Sequence, residues 1–159
     1  MRIEITPSDL TTKLLYLILF LLVLNIIGFV SKLYIGPIYG LLGLFSFDSE
    51  NNIPTLYSSF AMTFASGLLT VIAVKHKRNG AGSFAWFGLA AIFLFLAIDE
   101  VASIHEKLSG PLRASLNTSG LLYYAWVIPY GIATIVFAIA YLKFWMSLPK
   151  DIRILFAVA

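Results

Sequence analysis

Four long apolar segments dominate this sequence. They cover residues 14–30, 56–74, 84–98 and 121–142. A helix needs about 20 apolar residues to cross the roughly 30 Å hydrocarbon core of a bilayer, and a lone strand would leave its backbone groups unpaired there. We therefore predict an all-α fold, a polytopic transmembrane helical bundle that forms one domain over 1–159. With their flanking residues, the spans are expected at about 12–31, 55–75, 83–108 and 120–146.

The composition also indicates a membrane protein, and it excludes several kinds of site. Hydrophobic residues make up 60% of the chain, charged residues only 12%, and the mean hydropathy is +0.91. Soluble domains are far more polar than this. Cysteine is absent, so the sequence excludes disulfides, iron–sulfur clusters and thiol nucleophiles.

Basic residues fall unevenly on the two sides of the expected bundle. When the four spans are threaded back and forth, eight of them lie on the side of the N-terminus and three on the other. The first set is Arg2, Lys13, Lys75, Lys77, Arg78, Lys143, Lys150 and Arg153, and the second is Lys32, Lys107 and Arg113. Because cytoplasmic loops are enriched in Lys and Arg, we expect a cytoplasmic N-terminus. The net charge of +3 then reflects topology and contact with membrane lipids, and we expect no nucleic-acid partner.

Two regions do not read as complete spans. Residues 33–47 are apolar but interrupted by glycine and proline, which predicts an interfacial or re-entrant segment. Residues 152–159 are too short to cross a bilayer. We expect a fifth span to begin there and the chain to continue past Ala159.

An acidic and histidine stretch follows the third apolar segment directly. It holds Asp99, Glu100, His105 and Glu106. A charge near the hydrocarbon costs at least a few kcal/mol, so these groups require partners or a function. On the expected topology they face outward. With a helix that continues to about Leu108, the first carboxylate would lie roughly 13 Å inside its end.

Helical spacing separates the histidine from the acids in that expected helix. At 100° per residue, Asp99, Ser103 and Glu106 form one stripe, while His105 points away from it. The stretch also lacks the Glu-x-x-His spacing of di-iron helices and the His-x-x-x-His spacing of zinc helices. A bound metal would therefore be a hard divalent cation such as calcium or magnesium. Its candidate ligands are Asp99, Glu106, Asp48, Glu50 and Asn52.

Two other interpretations of this stretch remain open. In a catalytic one, His105 is a general base oriented by Glu106 or Glu100. Hydroxyl candidates for it are Ser58, Ser59 and Ser103, without a nucleophile elbow or oxyanion motif. In a structural one, Lys107 and Arg113 pair with the acids and the imidazole bonds a neighbouring helix.

Three motifs in order along the chain carry a resemblance. They are Phe47-Asp48-x-Glu50-x-Asn52-Ile53-Pro54-Thr55, then Asp99-Glu100-x-x-x-x-His105-Glu106, then Tyr124-Ala125-Trp126-Val127-x-Pro129. Over about 15–159 the chain resembles an uncharacterised family of multi-pass bacterial membrane proteins. The resemblance implies a bacterial inner (plasma) membrane location and further hydrophobic segments, but no activity.

From the sequence we expect a non-enzymatic accessory or binding subunit. Its outward-facing acidic and histidine site would bind a cation, a lipid headgroup or a partner, in a larger membrane protein complex. The alternative is an interfacial membrane enzyme that acts on lipid, with His105 and Glu106 as its acid–base pair.

Overall fold

The computed structural model describes residues 6–158. Throughout this part of the chain every regular element is helical, and four helices are long and apolar enough to cross a membrane. The helices are α1 Pro7–Tyr34, α2 Leu41–Phe45, α3 Ile53–Arg78, α4 Phe84–Ala102, α5 Ile104–Leu116, α6 Val127–Ser147 and α7 Lys150–Val158, with a 3₁₀ turn at Gly120–Leu122. The spanning helices are α1, α3, α4 and α6. The prediction of an all-α fold with four spans is confirmed, while Arg2 and Glu4 of the charge argument and Ala159 lie outside the described residues.

The first helix begins with a side-chain cap. Thr6 Oγ1 accepts a hydrogen bond from the backbone N–H of Asp9 at 3.2 Å, and Pro7 occupies the first turn, where its missing N–H removes no helical bond. The carboxylate of Asp9 lies at the positive end of the helix dipole. The 28 residues of α1 rise about 42 Å, which is more than the hydrocarbon core requires.

The chain forms two compact units, Met1–Ala61 and Met62–Ala159, which are described one at a time. In the first unit, α2 packs on α1 at the buried Gly28, where a Cβ would lie 3.3 Å from the side chain of Leu42. The connection turns at Gly36 and Gly40, both with positive φ. Segment 33–47 therefore contains only a five-residue helix, too short to cross a bilayer.

The second unit has its core where α3, α4 and α6 meet. Its most buried apolar residues are Leu69, Ala73, Trp86, Leu89 and Ala90. Two buried polar contacts tie the helices together. Ser66 Oγ donates to the carbonyl of Ala90 at 2.7 Å, and Tyr141 Oη donates to the carbonyl of Ala85 at 3.2 Å. Most other apolar side chains of α6 are exposed, as contact with lipid requires.

The third span ends earlier than the sequence predicts. The helix was expected over 83–108, but α4 stops at Ala102 and Ser103 adopts a left-handed conformation, with φ 50° and ψ 44°. A separate helix, α5, then begins at Ile104 and includes Pro111, so the predicted stop signal at 109–111 does not end it. The fourth span also starts late, because the 3₁₀ turn precedes α6.

The last described helix, α7, follows Leu148, where the backbone is extended. The indole N–H of Trp145 donates to the carbonyl of Arg153 at 3.1 Å, and the ring of Phe156 lies 6.4 Å from that of Trp86. Nine residues rise about 13 Å. A fifth span that begins in this segment stays a prediction.

Candidate functional site

The carboxylate of Asp99 holds two groups of His105. Its Oδ1 accepts a hydrogen bond from the backbone N–H of His105 at 2.9 Å, and its Oδ2 lies 3.1 Å from the ring Nδ1. Asp99 is only 4% exposed, whereas the imidazole is partly accessible. We call this pair of contacts the Asp99–His105 clamp. It satisfies a buried acid that would otherwise be costly in an apolar setting.

The break at Ser103 makes the clamp possible. In a continuous helix His105 would point away from Asp99, and the left-handed residue turns the following backbone toward the carboxylate instead. The first N–H groups of α5 lack helical partners, and Ser103 provides no side-chain cap. Asp99 supplies that cap from the preceding helix, and its negative charge lies at the positive end of the α5 dipole. The predicted stripe of Asp99, Ser103 and Glu106 is therefore wrong.

The break also corrects the depth of the acid. Asp99 lies three residues before the end of α4, which is about 5 Å rather than the roughly 13 Å expected from a helix to Leu108. The acid is thus near the end of the span. Its burial comes from the protein around it.

Two aromatic side chains of the following segment enclose the imidazole. The ring of His105 lies 4.8 Å from that of Trp126 and 6.0 Å from that of Tyr130, in edge-to-face arrangements. The buried hydroxyl of Tyr130 interacts electrostatically with Asp99, although it makes no hydrogen bond of ordinary geometry to any described residue. Sequence reasoning assigned Trp126 to the membrane interface and missed this contact. The signal was its place in the third motif.

The other charged residues of the stretch have different surroundings. Glu106 is exposed on α5, and Glu100 is half-buried near the end of α4. Lys107 Nζ donates to the carbonyl of Ala102 at 2.6 Å, and the guanidinium of Arg113 lies 4.2 Å from the ring of Tyr123. Lys107 thus caps the C-terminal end of α4, where a cation is favourable. In the catalytic interpretation, Asp99 occupies the orienting position at Nδ1.

The second acidic motif lies in the first unit and begins α3. Asn52 is buried, and its Nδ2 donates to the carbonyls of Ser46 at 2.6 Å and Ser49 at 2.8 Å. Its Oδ1 accepts from the backbone N–H of Thr55 at 3.1 Å, which makes Asn52 the cap of α3. The oxygen that was predicted as a metal ligand therefore has a structural bond.

The predicted metal ligands are all among the described residues. Within 6–158, no three His, Cys, Asp or Glu side chains come together in a way that could hold a metal ion. A hard divalent cation stays a prediction.

Comparison with family models matches residues 14–159 to a domain of unknown function, DUF8692. The chain belongs to this family. Searches of curated proteins and of solved structures gave no match. The DUF8692 match includes both the Asp99–His105 clamp and the Asn52 cap, so both features lie within the family domain.

Proposed function

We propose that this DUF8692 chain is a multi-pass protein of the bacterial inner membrane with a cytoplasmic N-terminus. Its role is that of a non-enzymatic accessory or binding subunit. Four apolar helices and the excess of basic residues on one side support this topology. On it, the Asp99–His105 clamp and α5 face outward.

The observation that carries the binding role is the way the clamp positions α5. No residue of Ile104–Leu116 is buried, although Asp99 fixes the start of the helix. Leu108, Leu112 and Leu116 recur every four residues and share one side of α5, and the first and last of them are 39% and 52% exposed. A helix that is fixed at one end and uncovered along its length is suited to bind another subunit.

A partner protein suits this site better than a cation does. Both oxygens of Asp99 already accept from His105, so the most buried acid is engaged within the chain. The exposed Glu106 and the half-buried Glu100 lie beside the leucines. In interfaces of this kind, apolar side chains provide most of the affinity and charges at the rim select the partner.

The size of the native complex tests the proposal. We expect the wild-type protein, extracted from its own membranes in mild detergent, to migrate as a complex larger than the chain of 17.6 kDa and its detergent. The double variant Leu108→Ser and Leu116→Ser should lose this complex, while the matched control Leu44→Ser, which changes an exposed leucine of α2, should keep it. A complex that survives in the folded double variant contradicts the role of α5.

The second candidate function is an interfacial enzyme that acts on lipid. The clamp favours it, because a carboxylate on Nδ1 orients an imidazole so that Nε2 can act as a general base. To test it, wild-type protein and His105→Gln are reconstituted in liposomes of known lipid composition, and the lipids are followed by mass spectrometry. The accessory role predicts unchanged lipids in both. A lipid product that forms with wild type and is lost in the folded variant overturns the accessory role.

A further inference from the structure

A cavity of about 550 Å³ lies beside the C-terminal half of α1, within the first unit. Asn25, Phe29 and Lys32 line one wall, and their spacing of four and three residues places them on one face of α1. The opposite wall consists of α2 and the loop at 46–49. The volume is within the range of sites that bind small molecules or headgroups.

The cavity carries one charge of each sign. Lys32 and Asp48 both line it, and neither forms an ion pair with another residue in the described range 6–158. The hydroxyl-bearing residues Ser46 and Ser49 lie between them along the wall. A ligand with an anionic group and a cationic group could therefore neutralise both side chains.

The loop that carries Asp48 is held in place without a ligand. The amide of Asn52 ties down the carbonyls of Ser46 and Ser49, and the backbone N–H of Asp48 donates to Ser46 Oγ at 3.2 Å. These bonds fix the polar wall before anything binds. A preformed wall reduces the entropy that a ligand must lose on binding.

The position of the cavity indicates the kind of ligand. Lys32 is in the last turn of α1, where a spanning helix reaches the headgroup region. Asn25 lies about 10 Å deeper along the same face, and Phe29 between them is 57% exposed. The polar end is thus level with lipid headgroups, and the apolar side continues toward the acyl chains.

We infer that this cavity binds the headgroup of a zwitterionic phospholipid with a primary amine, phosphatidylethanolamine. Lys32 binds the phosphate and Asp48 accepts hydrogen bonds from the ammonium. An anionic lipid such as phosphatidylglycerol offers no ammonium to Asp48. Phosphatidylcholine has no N–H to donate, so each is expected to bind more weakly. This site is independent of the role proposed for α5.

Native mass spectrometry of the purified protein tests the inference. With equal amounts of the three lipids in the detergent, we expect wild type to retain one phosphatidylethanolamine per chain, with an occupancy ratio about tenfold over either competitor, as one charge-assisted hydrogen bond provides. Lys32→Gln and Asp48→Asn should each lower that ratio about tenfold. Lys32→Arg, which keeps the charge, and Lys13→Gln, a lysine of α1 outside the cavity, should retain it.

Three results would overturn the inference. The first is equal retention of the three lipids by wild type, which requires no variant to fold. The second is unchanged selectivity in Asp48→Asn with an unchanged melting temperature. The third is displacement of the bound lipid by millimolar glycerophosphoethanolamine, because a soluble phosphate ester would then be the ligand.

Discussion

At the scale of single residues, the conformation of Ser103 decides the geometry of the site. It is left-handed without being glycine, and for such a residue this conformation costs roughly 1 kcal/mol. The two bonds between Asp99 and His105 offset that cost. Sequence spacing could not reveal the conformation, because serine is not a residue that marks a left-handed turn.

Substitution of Ser103 tests whether the left-handed backbone is required. Ser103→Gly should be at least as stable as wild type, and Ser103→Val should lower the free energy of unfolding in detergent by about 2 kcal/mol, since a β-branched residue is strained at positive φ. Ser115, inside α5, is the matched control. There glycine should be the destabilising change, by about 0.5–1 kcal/mol. If glycine destabilises both positions equally, Ser103 is helical in solution.

At the scale of helices, two spans border on loops closed by a polar side chain. Asp99 caps α5 from the preceding helix, and Asn52 caps α3 from the loop before it. Hydropathy predicted the four spans because burial in lipid depends on apolar length. It missed α5, whose start has no glycine or proline and whose Pro111 lies within the helix.

The cap of α3 gives a prediction at this scale. Asn52→Ala should lower the free energy of unfolding by about 2–3 kcal/mol, because it removes the bond to Thr55 N–H and leaves the carbonyls of Ser46 and Ser49 without their donor. Denaturant titration in detergent measures the change. The exposed Asn79 provides the control, since Asn79→Ala should change stability by less than about 0.5 kcal/mol. Equal effects at the two positions would contradict the cap.

At the scale of the whole molecule, sequence and structure agree on class and differ on the site. The all-α fold and the number of spans follow from apolar length and composition. The clamp and its aromatic neighbours Trp126 and Tyr130 do not, because they depend on how the chain turns after α4. Membership of DUF8692 agrees with the resemblance at the level of an uncharacterised family.

The proposed topology gives a prediction that uses the absence of cysteine. Since the chain has none, each introduced cysteine is a unique label site. In intact cells an impermeant maleimide should label Ser115→Cys on α5 and leave Asn79→Cys, beside the basic end of α3, unlabelled until the membrane is opened. Labelling of Asn79→Cys alone would reverse the orientation. It would also place the clamp on the cytoplasmic side.

The clamp itself is tested most directly by a double-mutant cycle. Asp99→Ala, His105→Ala and the double variant are unfolded in detergent, and the coupling free energy is calculated from their stabilities. We predict a coupling of about 1–3 kcal/mol between Asp99 and His105, whereas Asp99 and the distant Ser115, also changed to Ala, should be additive within about 0.5 kcal/mol. Additivity between Asp99 and His105 within that same limit would contradict the clamp and the position of α5 that rests on it.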